Sequence, residues 1–434
     1  MQIKTVTVIG ANGTMGRNVS AIFASFGCAK VYMVCRSLEK AQQAVQRAVS
    51  SVRADSIAAR LIPVDYSMLP DCLKESDLVF ESVAESLDVK LEIAKKVATS
   101  VREDVVLGTG SSGLSITTMA EVYPESLRSR FFGIHMFNPP YNLTLCEVTP
   151  TVYSDKELLR ALEQYLAVQL RRTVVETKDS PAFLGNRIGF QFINRALQYA
   201  EKYKYSGGID YIDAILGPFS GRSMQPIVTS DFVGLDVHKA IVDNIHDNAP
   251  DYEQDTYLLP AYVQKLIDEG KLGRKAKGGL YKQIIHDNGF KRMAVYDIAT
   301  GNYRDKLDYK FPFAVQMRKA IYEGDYESAL KALIENRSVE AEICLEFLLQ
   351  YIVYSLYCAR EVGSNVHAAD DVMATGFNWC PPLAMADAIS IVADLSELIH
   401  ERMEPEVLKK VDIEALLATI EPSKYDYRSY FKSI

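Results

Sequence analysis

Gly10-Ala11-Asn12-Gly13-Thr14-Met15-Gly16 follows a β-branched run, Thr5–Ile9, and leads into an amphipathic stretch from Met15 to Phe26. Strand, tight glycine turn and helix in that order let the backbone approach a pyrophosphate where a Cβ would collide with it. The free amides and positive dipole end of the helix then face the phosphates. The spacing is Gly-x-x-Gly-x-x-Gly, one residue longer at the front than the common G-x-G-x-x-G. Glycine-rich turns occur in many proteins, but a turn between the first strand and the first helix points to a dinucleotide site on Gly10, Gly13, Met15 and Gly16.

Outward from that turn, short β-branched runs alternate with amphipathic helices up to about Lys178, the pattern of a parallel sheet covered by helices. Strands are expected at Thr5–Ile9, Lys30–Cys35, Leu78–Glu81, Val105–Leu107, Phe131–His135, Leu145–Val148 and Thr173–Glu176. Helices are expected at Met15–Phe26, Leu38–Val52 and Leu87–Ser100. After Ser180-Pro181 the β signal stops, and Ala182–Tyr203 reads as a long helix with proline at its start. A turn-rich segment from Lys271 to Tyr281 and a polar stretch from Asp287 to Asp308 suggest a boundary near residue 290. The segment beyond it repeats Pro-x4-Asp, as Pro226 to Asp231 and again as Pro382 to Asp387, each after a helix carrying an aspartate, Asp213 or Asp371. The expected architecture is α/β: an N-terminal Rossmann-like doubly wound sheet over 1–180, then two all-helical domains over 181–290 and 291–434.

A chain of 434 residues exceeds what one hydrophobic core usually serves, which agrees with several domains. Its net charge of −8, with cations spread along the chain, gives no footprint for nucleic acid or an anionic membrane, so the expected partner is a small molecule. Seven cysteines stand singly, without metal-site spacing; free thiols, no metal and a reducing compartment are expected. The first strand pattern begins at Lys4, no run of eighteen apolar residues occurs, and Phe431-Lys432-Ser433-Ile434 is no known address, so the expected location is cytoplasmic.

The second strand ends Val34-Cys35-Arg36-Ser37, where an NAD site normally offers a carboxylate to the ribose hydroxyls. Arg36 and Ser37 instead suit a 2′-phosphate, so NADP(H) is expected, with NAD(H) the alternative if Arg36 is only a solvated charge. His135 closes a strand before Met136-Phe137-Asn138-Pro139-Pro140, and Glu147 lies twelve residues on, at the next strand. A histidine held by a carboxylate is a competent general base for a hydroxyl.

These residues carry a resemblance. The run Phe132-Gly133-Ile134-His135-Met136-Phe137-Asn138-Pro139, the Glu147 spacing, Asp179-Ser180-Pro181-Ala182-Phe183-Leu184-Gly185-Asn186-Arg187, Val79 to Lys90, and Asp231 to Asp236 resemble the 3-hydroxyacyl-CoA dehydrogenase family, in its order, over residues 5 to about 282. The resemblance implies that His135 takes the proton of a 3-hydroxyl while hydride passes to a nicotinamide, and that Glu147 orients it. It further implies that Ser112, in Gly110-Ser111-Ser112-Gly113-Leu114, and Asn186 bind the reacting oxygen. Glu85 and Lys90 fall on coenzyme positions and Asn138 on one lining the nicotinamide pocket; a helix-entry carboxylate, an exposed lysine and a turn asparagine are their plainer readings.

An acyl-CoA substrate is implied in the same way. The region from Leu38 to Arg60 would help hold CoA, with Arg47, Arg53 and Arg60 either meeting its phosphates or standing as solvated face charges. The chain departs from the family in its longer glycine loop, in Cys35-Arg36 for the acidic residue, and in Gly110 for the asparagine of the serine turn. Ala369 to Leu383 resembles the family's C-terminal helical domain a second time, and short members dimerise through that domain. A second copy covering the first predicts a monomer, with a homodimer the alternative. Two rival functions remain at this level: a dehydrogenase of a non-CoA hydroxy acid, and a non-catalytic NADP-binding sensor.

Overall fold

The computed structural model describes residues 1–52, 55–276, 278–285 and 291–433, and the chain divides into two compact units. The first, residues 1–183 with 362–364, is built on an eight-stranded sheet. Its strands are β1 (Thr5–Ile9), β2 (Lys30–Cys35), β3 (Leu61–Asp65), β4 (Leu78–Glu81), β5 (Val106–Thr109), β6 (Phe131–Met136), β7 (Leu145–Thr149) and β8 (Thr173–Glu176). Helices α1 (Thr14–Ser25), α2 (Leu38–Val52), α3 (Leu69–Glu75), α4 (Leu87–Ala98), α5 (Ile116–Ala120), α6 (Glu125–Arg128) and α7 (Lys156–Gln164) complete it.

The strand order is β3-β2-β1-β4-β5-β6-β7-β8, with every pair parallel except β6 and β7. Alternate residues of the central strands enter opposite cores: Val6 and Val8 lie with Phe23, Val31 and Ile134, whereas Ile9 lies with Val34, Val79 and Leu107. Burial on both faces explains the near-continuous apolar runs that marked these strands. Strand β3 is an addition to the seven expected. Pro63 disguised it, and β3 is the edge strand, where a missing amide donor is tolerated.

The second unit, residues 184–361 and 365–434, is mainly helical. It contains α8 (Gly185–Lys202), α9 (Ile209–Ile215), α10 (Pro226–Val233), α11 (Leu235–Asn248), α12 (Ala261–Asp268), α13 (Pro312–Glu323), α14 (Tyr326–Ile334), α15 (Val339–Glu361), α16 (His367–Val372) and α17 (Pro382–Ser390) among its helices. The long helix begins at Gly185, not Ala182, because Ala182 and Phe183 take left-handed φ values of 61° and 53°. The polar stretch expected after residue 281 is partly a three-stranded antiparallel sheet, β9 (Tyr281–Ile285), β10 (Lys291–Asp297) and β11 (Asn302–Asp305), so this part of the chain is not all-helical. The expected boundary near 290 falls at 286–290, outside the described residues. Helix α15 is apolar and long enough to cross a membrane, and 83% of its most apolar window is buried inside the unit, as in a core helix.

The aspartates around the two Pro-x4-Asp runs make similar hydrogen bonds. Asp213 accepts from the amides of Ile227 and Val228 in the first turn of α10, and Asp370 accepts from Leu383 in the first turn of α17. Asp370 repeats the helix-start contact of Asp213, whereas Asp371 accepts from the Tyr425 hydroxyl as Asp213 does from that of Tyr281. Asp231 and Asp387, the aspartates of the repeated Pro-x4-Asp, each catch a later backbone segment, at Leu280 and at Ser423 respectively. Arg222 bridges Trp379 in antiparallel fashion, and the Cys380 amide donates to Gly221 O at 2.7 Å.

Candidate active site

At the glycine turn, the backbone takes the shape that the sequence demanded. Gly10 has φ +81°, and a Cβ there would lie 2.5 Å from Ser82 O; one on Gly16 would lie 2.6 Å from Gly10 O. Gly13 caps α1 without a side-chain hydrogen bond, and the first turn of α1 carries no acidic residue, so its amides are available to an anion. Met15 is half-buried against the sheet core and acts as packing. Beside the turn opens a cleft of about 550 Å³, lined by Gly10, Gly13, Arg36, Lys40, Tyr66, Val83, Glu92 and Lys96 among others. This cradle fits a nucleotide.

The charges in the cleft are mostly positive. Arg36 and Lys40 are exposed, and Lys96 pairs with Glu92 at 2.6 Å. No carboxylate ends β2: Cys35 stands there, its thiol pushed up by burial. Asp65 ends the adjacent β3, but one of its oxygens accepts from both the amide and hydroxyl of Ser67. Ser37 accepts from the Lys40 amide at 3.3 Å in the first turn of α2, so part of its hydrogen-bonding capacity serves the helix.

Glu85 and Lys90 belong to a buried network that sequence reasoning did not assemble. The Lys90 ammonium, 2% exposed, meets both oxygens of Glu81 at 3.0 Å and Glu85 Oε2 at 3.2 Å. Three acceptors match its three N–H groups. Glu85 Oε1 accepts from Ser111 Oγ at 2.6 Å and from the Ser112 amide at 2.7 Å. Thr109 Oγ1 donates to Glu81 Oε2 at 2.7 Å and accepts from the Ser111 amide at 3.3 Å. Ser112 is thus held by its backbone. Gly110 replaces an asparagine without leaving a void, since a Cβ there would meet the Phe80 ring at 2.8 Å.

His135 and Glu147 face each other because β6 and β7 are antiparallel and in register at these residues. His135 Nδ1 lies 2.7 Å from Glu147 Oε2, with the two side chains 7% and 0% exposed. The carboxylate accepts, so Nδ1 carries the hydrogen, and the exchangeable position is Nε2. Phe137 and Phe183 pack on the imidazole with ring centroids at 4.6 and 5.7 Å, limiting water around it. Asn138 is exposed beyond this strand, and its Oδ1 accepts from Asn18 Nδ2 of α1 at 3.0 Å. Asn186 is the second residue of α8 and belongs to the second unit.

Of the CoA candidates, Arg47 lines an open groove of about 670 Å³ with Arg17, Gln46, Ser50 and Ser51. Burial and the Arg47 charge lower the Arg17 pKa. Arg60 contacts Ala24 O at 3.5 Å, and Arg53 lies outside the described residues. All seven cysteines are free, and no cluster of metal-ligating side chains occurs among the described residues. Sequence reasoning missed Glu81, Thr109, Ser111, Asn18 and Lys40. The first sits in a quoted motif but reads there as the end of an apolar strand.

Comparison with known proteins adds the chemical context. Residues 5–180 match the family model described as 3-hydroxyacyl-CoA dehydrogenase, NAD binding domain, and residues 183–283 match its C-terminal domain. A probable 3-hydroxyacyl-CoA dehydrogenase of Deinococcus radiodurans is 34% identical over 306 residues, 68% of this chain and 87% of that protein. One of Bacillus subtilis is 30% identical over 328 residues, 75% of this chain but 40% of that longer protein. In fold, the chain is similar over 96% of its length to the crystal structure of 3-hydroxybutyryl-CoA dehydrogenase from Escherichia coli, of which it covers 99%, with a TM-score of 0.71 at 20% identity.

Proposed function

Because the chain belongs to the 3-hydroxyacyl-CoA dehydrogenase family and so carries a nicotinamide-binding domain, we propose that it interconverts (3S)-hydroxyacyl-CoA and 3-oxoacyl-CoA with His135 moving the hydroxyl proton. The observation that carries this reading is the buried 2.7 Å contact between His135 Nδ1 and Glu147. When held in the cleft by the glycine turn and Arg36, a nicotinamide coenzyme would supply hydride acceptance from, or donation to, C3 of the substrate. His135 Nε2 takes the hydroxyl proton, and Glu147 stabilises the imidazolium that results. In reduction the same imidazolium gives the proton to the nascent alkoxide. Ser112 steadies the reacting oxygen through its hydroxyl, and Asn186 enters the proposal on family resemblance alone.

The preferred coenzyme is NADP(H). Arg36, Lys40 and Lys96 in the cleft, with no acidic residue at the end of β2, support a 2′-phosphate. Lys40 joins Arg36 and Ser37, whose hydroxyl accepts from the Lys40 amide and keeps its own O–H to donate. The paired charges of Arg17 and Arg47 support a phosphorylated thioester carrier such as CoA. A cytoplasmic location and a monomeric state complete the reading, supported by the seven free thiols and by the two helical copies inside one unit.

Steady-state kinetics on a series of 3-oxoacyl-CoA substrates with both coenzymes tests the proposal. Turnover with a higher kcat/KM for NADPH is expected. An equal or better value with NADH contradicts the coenzyme assignment alone. Tight NADPH binding without turnover of any acyl-CoA contradicts the reaction and favours a sensor.

A further inference from the structure

Glu81 is the hub of the buried network and touches none of the atoms assigned to chemistry. Its side chain is 10% exposed and both of its oxygens are occupied, Oε1 by Lys90 and the Val83 amide, Oε2 by Lys90 and Thr109 Oγ1. Two side-chain routes lead from it to the serine turn, beside the backbone bond from the Gly110 amide to Glu81 O at 2.8 Å. One runs through Thr109 to the Ser111 amide; the other runs through Lys90 and Glu85 to the Ser111 hydroxyl and the Ser112 amide. A third contact, to Val83, reaches the wall of the nucleotide cleft.

We propose that Glu81 is a positioning residue that sets the serine turn carrying Ser112 and couples it to the nucleotide cleft. The electrostatics explain why a charge is needed. Lys90 stands between two carboxylates, and the cluster is nine-tenths or more buried at Glu81 and Lys90 but 43% exposed on the Glu85 side. With Glu81 ionised, two of the three Lys90 donors are taken, and Glu85 keeps Oε1 for Ser111 and Ser112. In Glu81→Gln the ammonium loses its main counter-charge, and Glu85 is the one carboxylate left in the network to replace it. Glu85 then rotates toward Lys90 and releases the turn. Because a charge buried without a partner is costly, this rearrangement is the cheaper outcome.

The inference rests on the hydroxyacyl reaction proposed above, so its test includes a readout that needs no turnover. Hydrogen exchange of the segment from Thr109 to Leu114 is compared in wild type and Glu81→Gln, with β6 as internal reference. Exchange in the turn is expected to rise at least tenfold while β6 keeps its protection. The kinetic arm is a cycle of Glu81→Gln, Ser112→Ala and the double variant. Glu81→Gln is expected to lower kcat by ten- to a hundredfold, and by less than threefold in the Ser112→Ala background. Thr109→Val, which cuts the route from Glu81 Oε2 to the Ser111 amide and leaves the Glu81–Lys90 pair intact, is expected to raise exchange in the same turn should Glu81→Gln not fold. Unchanged exchange in the turn, or an equal kinetic loss in both backgrounds, overturns the positioning role. Absence of wild-type turnover beside the expected exchange change overturns the reaction and leaves the positioning of the turn standing.

Discussion

At the scale of single residues, His135 and Glu147 were legible as a pair because a separation of twelve positions between successive strands allows one return of the chain. Their contact depends on something no residue type states, the antiparallel register of β6 on β7. Glu81 was not legible. It ends Leu78-Val79-Phe80-Glu81, and its importance comes from Lys90 and Thr109, which the fold brings to it. Lys40 was missed for a similar reason: along the sequence it is one more lysine on an amphipathic helix, and the structure turns it into the cleft beside Arg36. Charge-assisted hydrogen bonds are worth about 1.5–3 kcal/mol, so Lys40→Ala should weaken NADPH binding by roughly ten- to a hundredfold. NADH binding, which lacks the 2′-phosphate, should stay within about twofold. Titration of both coenzymes reads the difference, and equal losses would remove Lys40 from the phosphate site.

At the scale of elements, propensity and periodicity located α1, α2 and α4 within two residues, since those helices bury one apolar face against the sheet. They failed where tertiary context overrules the local signal, at Pro63 in β3 and at Ala182 and Phe183 before α8. Helix packing also sets a titration. His238 of α11 lies between Ser230 of α10, 3.1 Å from Nδ1, and Asn194 of α8, 2.9 Å from Nε2. Asn194 Nδ2 donates to the Thr256 and Leu258 carbonyls, which fixes its Oδ1 as the acceptor of His238 Nε2–H. Burial lowers the His238 pKa to about 3. The unfolded chain therefore binds a proton there before the folded one does, so this stability is present above the ordinary histidine pKa of about 6.5 and is lost as pH falls toward 3. Burial shifts Asp213 the other way, to about 7, so its contribution is present below the ordinary carboxyl range and is lost as pH rises through 7. Thermal unfolding from pH 7 to 4 should show a steeper acid loss in wild type than in His238→Gln, whose amide keeps both partners without titrating. Parallel curves would contradict a neutral buried imidazole.

At the scale of the whole molecule, the repeated Pro-x4-Asp was readable in the sequence, but which residue repeats the helix-start contact of Asp213 was not, because Asp370 and Asp371 are adjacent. The hydrogen bond to Leu383 identifies Asp370 as that residue. Within the helical unit the two copies are interlocked: Arg222 stacks on Phe192, Tyr351 and Trp379 with its charge center 3.7 to 5.1 Å from the ring centroids, and a Cβ on Gly189 would overlap the Phe377 ring. On the proposed reading, this contact takes the place of one between subunits. Light scattering at micromolar concentration should give the mass of one chain, and a stable dimer would contradict that expectation. The reaction itself is tested most directly by following NADPH absorbance with acetoacetyl-CoA for wild type and His135→Ala. Wild type should consume NADPH, and His135→Ala should lose about 10²–10⁴-fold in kcat while NADPH binding is retained. Turnover of His135→Ala within about threefold of wild type would contradict the account.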